Sequence, residues 1–236
     1  MLSGSDGSVL YNFDGDSAGD MFGGSVSSAG DVNGDGFADL IVGASGDDNN
    51  GTESGSAQVF SGVDGSVLYN FDGDSAGDMF GFSVSGAGDV NDDGFADLIV
   101  GAPFDDNNGM DSGSARVLSG VDGSVLYSFD GPPGDMFGDS VQGSGDANGD
   151  GVDDFTVFAR SLNGAVDVGF ATLFGSQISA TILGDINLDG NIDFLDISPF
   201  ISILTSGGFQ LEADINQDDA VDFLDISPFI GVLLGS

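Results

Sequence analysis

The sequence predicts a mainly β protein: a partial β-propeller of about three four-stranded blades, then a small α-helical unit made of a duplicated acidic loop and helix. Three observations predict this. Residues 66–81 repeat residues 8–23 without a change, and acidic loops start at Asp31, Asp89 and Asp146, a period of 58 and then 57. Within a period, four short apolar runs alternate with Gly, Asp and Asn turns, which is the strand content of a propeller blade. From residue 183 the period drops to 29, and the octapeptide Phe-Leu-Asp-Ile-Ser-Pro-Phe-Ile occurs at 194–201 and again at 223–230.

Taken in order, the chain opens in mid-repeat, because residues 2–10 match 118–126, the outer strands of a blade. A fragment of a longer protein explains this start. An oligomer that completes a ring, or an N-terminal strand that closes the last blade, also fits, since an open array leaves unpaired strand edges. The second copy reads most clearly. Residues 80–85 form a strand before the acidic loop, 96–101 a strand after it, and 115–118 and 124–129 the outer pair. The third copy departs from the pattern, with Val157-Phe158-Ala159-Arg160 where the second copy has Val100-Gly101-Ala102-Pro103. It is either a degenerate cap or an edge.

The acidic loops carry the chemistry. Three close at position 9: Asp31, Asn33, Asp35, Phe37 and Asp39; Asp89, Asn91, Asp93, Phe95 and Asp97; Asp146, Asn148, Asp150, Val152 and Asp154. Two close at position 12: Asp185, Asn187, Asp189, Asn191 and Asp196; Asp214, Asn216, Asp218, Ala220 and Asp225. Side chains at positions 1, 3 and 5 of such a loop converge, residue 7 offers its backbone carbonyl, and a last carboxylate completes an oxygen cage. Hard oxygen donors in a nearly all-protein cage suit Ca²⁺ better than Mg²⁺, which keeps its water. Five Ca²⁺ sites are expected. In the fifth loop Asp219 replaces the turn glycine of the fourth, Gly190, which predicts weaker binding there.

Composition excludes several functions. Forty Asp plus Glu face only Arg116 and Arg160, and a net charge of −38 repels nucleic acid and anionic membrane. A hydrophobic content of 40% with 20 Phe argues against disorder, despite the acidity. The chain has no Cys, so metal and not disulfide is the available staple. No apolar run reaches membrane-spanning length, and residues 1–7 lack the features of a signal peptide. Cages of this kind suit an extracellular or cell-surface setting. Without His, Cys or Lys the usual bases and nucleophiles are missing, and the paired acids are already accounted for as metal ligands, so catalysis is not expected. The lack of Trp, with Tyr11, Tyr69 and Tyr127 at equivalent repeat positions, argues against a sugar-stacking site.

Two resemblances follow from these residues. Phe22-Gly23, the loop from Asp31, residues 40–44 and the second copy ending in 100–103 resemble FG-GAP repeats, the blades of integrin alpha-chain heads and of bacterial surface proteins. Over about residues 1–181 this implies a calcium-stiffened propeller segment. Residues 182–236 are similar to a dockerin, with Asp at position 12 of two tandem loops and Ser198-Pro199 and Ser227-Pro228 opening short helices. The resemblance implies docking to a cohesin-like partner. The positions dockerins commonly use for that contact hold Phe194, Leu195, Phe223 and Leu224 here, where Ser-Thr pairs are familiar. The expected function is therefore a non-catalytic, calcium-dependent adhesion or display module. The alternatives are a self-assembling surface protein, joined through open blades, and an accessory part of a secreted polysaccharide-degrading enzyme.

Overall fold

The computed structural model describes residues 1–160 with side chains and the backbone of 169–174. The chain divides into two compact units, Met1–Ser176 and Gln177–Ser236. The predicted fourth and fifth calcium loops, the two short helices and the proposed partner-binding residues all lie outside the described residues.

The described part is mainly β. Strands β1 (Ser25–Gly30), β2 (Asp39–Ala44), β3 (Ser56–Phe60) and β4 (Val67–Asp72) form one antiparallel sheet in that order. Strands β5 (Ser83–Gly88), β6 (Asp97–Ala102), β7 (Ser114–Leu118) and β8 (Val125–Asp130) form a second. A third sheet holds β9 (Phe137–Gly145), β10 (Asp154–Arg160) and β11 (Gly169–Phe174), ordered β11-β10-β9. Three of the four strands expected in the second copy form within one residue of where the apolar runs place them, while the first runs Ser83–Gly88, three residues beyond the expected 80–85. Within the described residues the third unit shows three strands.

Register repeats as faithfully as sequence. Ser25 pairs with Gly43, Ser83 with Gly101 and Ser140 with Phe158, so these are structurally equivalent positions. In both four-stranded sheets the second strand is buried along nearly its whole length: the second sheet has a sheet on each face, and the first has the second sheet on one face and the Tyr11–Phe13 segment on the other. That explains the unbroken run Leu-Ile-Val-Gly-Ala, where a half-exposed strand would alternate.

Two apolar layers join the three sheets, and they use the same repeat positions. Between sheets one and two, Ala29, Ile41 and Val59 meet Phe80, Val84 and Val100. Between sheets two and three, Ala87, Ile99 and Val117 meet Phe137, Val141 and Val157. Hydroxyls stitch the same joints: the Val84 amide donates to Ser25 Oγ at 3.0 Å, and the Val141 amide to Ser83 Oγ at 3.0 Å.

The Phe-Gly and Gly-Ala motifs explain each other at these joints. A Cβ added to Gly43 would lie 2.0 Å from the Gly81 carbonyl oxygen, and one on Gly101 would lie 2.1 Å from that of Gly138. Each Phe-Gly corner is therefore pressed against the preceding sheet at a point only glycine leaves open. The Gly81 amide also donates to the Gly101 carbonyl of its own sheet at 3.1 Å, which fixes the corner from the other side.

Both arginines are tied down. The Arg116 guanidinium pairs with the Asp74 carboxylate and lies 5.2 Å from the centre of the Phe80 ring. Arg160 stands 3.1 Å from Asp139.

Candidate metal centres

Each acidic loop links the first two strands of its sheet, so the ladder fixes its two ends. Inside the loop, side-chain oxygens capture backbone amides. In the first loop the Asp35 amide donates to Asp31 Oδ1 at 3.1 Å and to Asn33 Oδ1 at 3.0 Å. The Gly36 amide reaches Asp31 Oδ2 at 2.8 Å, and the Phe37 amide reaches Asp35 Oδ1 at 2.9 Å. The second loop repeats this skeleton through Asp89, Asn91 and Asp93, and the third through Asp146, Asn148 and Asp150. Position 6 turns sharply, with φ of 87° at Gly36, 90° at Gly94 and 94° at Gly151, in the left-handed region where glycine carries no penalty.

The closing carboxylates behave differently from the others. Asp39, Asp97 and Asp154 are buried, while most of the other acids in these loops are exposed or nearly so. Asp97 accepts the Val90 amide at 3.0 Å and the Gly120 amide at 3.0 Å, which ties the loop to the turn between β7 and β8. Asp39 does the same with Val32 and Gly62, at 3.0 and 2.9 Å. Burial pushes the Asp97 carboxyl up to about 6; the two amides oppose that shift, and Asp93 and Asp89 add to it. Asp39 is raised for the same first cause, burial.

The donor set is all oxygen, and it fits a hard divalent cation. An ionised carboxylate offers about four lone-pair sites and a carboxamide oxygen two, so the one to three amides each accepts leave acceptor capacity on Asp31, Asn33 and Asp35 and on their equivalents. The loops are less contracted than the spacing alone implies. Among the described residues, the group of three carboxylates with oxygens mutually within 4.8 Å is Asp16, Asp20 and Asp47.

Sequence reasoning missed that second cluster, because its members are not alternating neighbours. Asp16 and Asp20 come from the repeated segment before β1, and Asp47 from the turn after β2. Asp47 is held by the Ser56 hydroxyl at 2.7 Å and the Asn49 amide at 2.9 Å. Burial raises the Asp20 carboxyl, with Asp16 and Asp47 reinforcing it. The second sheet places Asp74, Asp78 and Asp105 equivalently, and there Arg116 supplies a cation where the first sheet has Gln58. The available signal was the repeat itself: Asp16, Asp20 and Asp47 all recur one period later.

Comparison with known proteins agrees with the fold. The FG-GAP repeat model matches residues 22–60 and 80–118, and the dockerin type I domain model matches residues 183–234. Integrin alpha-5 of Xenopus laevis is 32% identical over 186 residues, covering 69% of this chain and 17% of that protein. Integrin alpha-PS5 of Drosophila melanogaster is 35% identical over 166 residues, 64% of this chain and 16% of its own length. Human integrin alpha-6 is 33% identical over 136 residues, 50% of this chain and 12% of its own. The chain thus spans less than a fifth of each of these relatives. The third sheet lies beyond the FG-GAP matches, in keeping with its altered second strand. The chain carries two FG-GAP repeats and, after them, a type I dockerin domain.

Proposed function

We propose that this chain is an extracellular, calcium-binding and non-catalytic display module, in which residues 1–181 form blades of a partial β-propeller and residues 182–236 dock to a cohesin-type partner. The observation that carries this reading is the pairing, in one chain, of three alike acidic loops with a type I dockerin match at 183–234. In the blades, Asp31, Asn33 and Asp35 would hold Ca²⁺ by their side chains, Phe37 by its carbonyl and Asp39 by its carboxylate, with the equivalent residues doing so in the next two loops. The bound ion supplies positive charge that offsets the packed carboxylates. The chain's own part is to hold the donors: backbone amides curl each loop, and Asp39, Asp97 and Asp154 pin it to its sheet. In the C-terminal loops, Asp185, Asn187, Asp189, Asn191 and Asp196, and Asp214, Asn216, Asp218, Ala220 and Asp225, would do the same. Five sites result.

The chain's charge of −38 suits a protein partner and not nucleic acid or an anionic membrane. Among the described residues no helix is long and apolar enough to cross a membrane. The octapeptide containing Phe194-Leu195 and its copy with Phe223-Leu224 offer the partner two near-equivalent faces.

Calorimetric titration of the whole chain against a panel of type I cohesin domains tests the docking. Binding in calcium that disappears in chelator is expected, and substituting Phe194 or Phe223 alone should leave most of it. No binding to any cohesin, with calcium bound and the chain folded, would refute the docking role. Loss of all binding on substituting Phe194 alone, with Phe223 dispensable, would refute the twofold mode.

A further inference from the structure

The acidic loops of the three sheets are joined in a row. Each contact is made by the closing end of the later loop, where its last two calcium donors stand. At the first joint the amide of Ala96, position 8 of the second loop, donates to the carbonyl of Asp31, position 1 of the first, at 3.1 Å. The Phe95 ring lies over Gly34, within 2.7 Å of where a Cβ would stand, and the Ala96 methyl lies over Gly30, 2.5 Å from such a Cβ. Asp97, next in the chain, is the buried carboxylate that closes the second loop. The run from Phe95 to Asp97 therefore serves two loops at once.

The second joint repeats the contact and adds an arm. The Asp153 amide donates to the Asp89 carbonyl at 3.2 Å, and the Asp153 carboxylate accepts the Asp89 amide at 3.0 Å. One residue thus brackets the first ligand residue of the second loop on both sides of its backbone. Gly88 makes room for it, since a Cβ there would lie 2.1 Å from Asp153 Oδ2. The adjacent Asp154 is buried and accepts the Ala147 and Asn148 amides of its own loop at 2.7 and 3.1 Å. The first joint has alanine at this position and lacks the arm.

This wiring has an energetic consequence. When the run 152–154 is fixed by its own loop, Asp153 is fixed with it, and Asp89 is held in turn. A loop whose neighbour is already ordered has less freedom left to lose when it binds. The help is mutual, because coupling between two binding sites is reciprocal. Charge alone predicts the opposite sign: an ion in one loop cancels part of the negative field that draws an ion to the next.

We propose that the three blade loops take up calcium as a coupled row, and that Ala96 and Asp153 are the positioning residues that couple them, Asp153 the more strongly. The inference rests on the calcium reading above.

The test follows each loop separately in the full chain. Gly36, Gly94 and Gly151 each donate an amide to the carboxylate of their own loop's first residue, at 2.8, 2.8 and 3.0 Å. Their amide resonances therefore report the three loops one by one in a calcium titration. Asp150→Ala, which disables the third loop, should move the Gly94 midpoint to at least about fivefold higher calcium. Asp153→Ala leaves every calcium donor in place and should move Gly94 in the same direction. Asp153→Asn keeps an acceptor for the Asp89 amide and should restore the parent midpoint, a rescue that general destabilisation does not produce.

Two results would overturn the proposal. One is a Gly94 midpoint that Asp150→Ala leaves unchanged or moves to lower calcium, the sign that charge alone gives. The other is Asp153→Asn weakening the second loop as much as Asp153→Ala, which would make the charge and not the bracket the cause. Glycine resonances that calcium does not move in the parent chain would instead remove the calcium reading itself, and the coupling with it.

Discussion

Gly43→Ala tests the joint between the first two sheets with a single methyl group. The added Cβ would sit 2.0 Å from the Gly81 carbonyl oxygen and 3.0 Å from its carbon, and both contacts are backbone. Ordinary contact begins near 3.4 Å, so the sheets must part by about 1.4 Å, or the Phe80-Gly81 corner must leave its seat; close-packed interiors yield little. Overpacking of this kind costs about 1–3 kcal/mol. Against it stands the usual gain of about 0.5–1 kcal/mol when alanine replaces a glycine inside a strand. The net loss should be about 1 kcal/mol, and for a chain of this size the melting temperature should fall by about 2–4 °C. Calorimetry in calcium reads this directly. Gly4→Ala is the control, since a Cβ there meets nothing within 4 Å, and it should be neutral within about 0.5 kcal/mol. An unchanged or raised melting temperature for Gly43→Ala would refute the close approach, and with it the explanation of the Phe-Gly motif.

Other expectations separate the closing carboxylate from the remaining loop acids. Asp97→Ala leaves the Val90 and Gly120 amides without their acceptor, a loss of about 2–5 kcal/mol that should persist in chelator. Asp93→Ala removes an exposed acceptor for one amide and should cost under about 1 kcal/mol in chelator, while abolishing the share of stabilisation that calcium adds through the second loop. Equal losses for the two variants in chelator would argue against the division of labour. Each site occupied at ten times its Kd contributes about 1.4 kcal/mol, so chelation should visibly lower the melting temperature of the first unit; an unchanged value would end the calcium reading.

A pH effect should come from Asp78. Its carboxyl is pushed up to about 6, first by burial and then by Asp105 and Asp74, with Arg116 opposing. The folded value lies above the unfolded value of 3.8, so the folded state holds the extra proton between the two. This contribution makes the protein more stable as pH drops from 7 through 6 towards 4, the reverse of a salt-bridged acid. Asp78→Asn should flatten that slope in denaturant titrations run in chelator, and an unchanged slope would remove Asp78 as its source.

Much of the fold was legible because the repeats test every local reading twice. The run Leu-Ile-Val-Gly-Ala after an acidic loop could form little other than a buried strand, and it does so in both copies. In the three loops the alternating Asp and Asn oxygens accept backbone amides of their own loop. Two features were beyond periodicity. Alternation shows which oxygens share a loop but not how tightly it closes, so the wider spacing of the loop carboxylates was not foreseen. The Asp16, Asp20 and Asp47 cluster arises from tertiary packing of segments 27 residues apart. The role of Phe158 was half legible. Its departure from glycine marked the third copy as a cap or an edge, and only the register Ser140–Phe158 shows what the glycine was for.

The placement of the two arginines has a consequence for proteolysis. Without lysine, Arg116 and Arg160 are the sole places in the sequence where a trypsin-like protease can cut. Arg116 is in the middle of β7, 14% exposed and paired with Asp74, so cleavage there requires the second sheet to come apart. Arg160 ends β10 and is held by Asp139. Cleavage at Arg116 therefore reports opening of the second sheet, while Arg160, half exposed at a strand end, is the more accessible target.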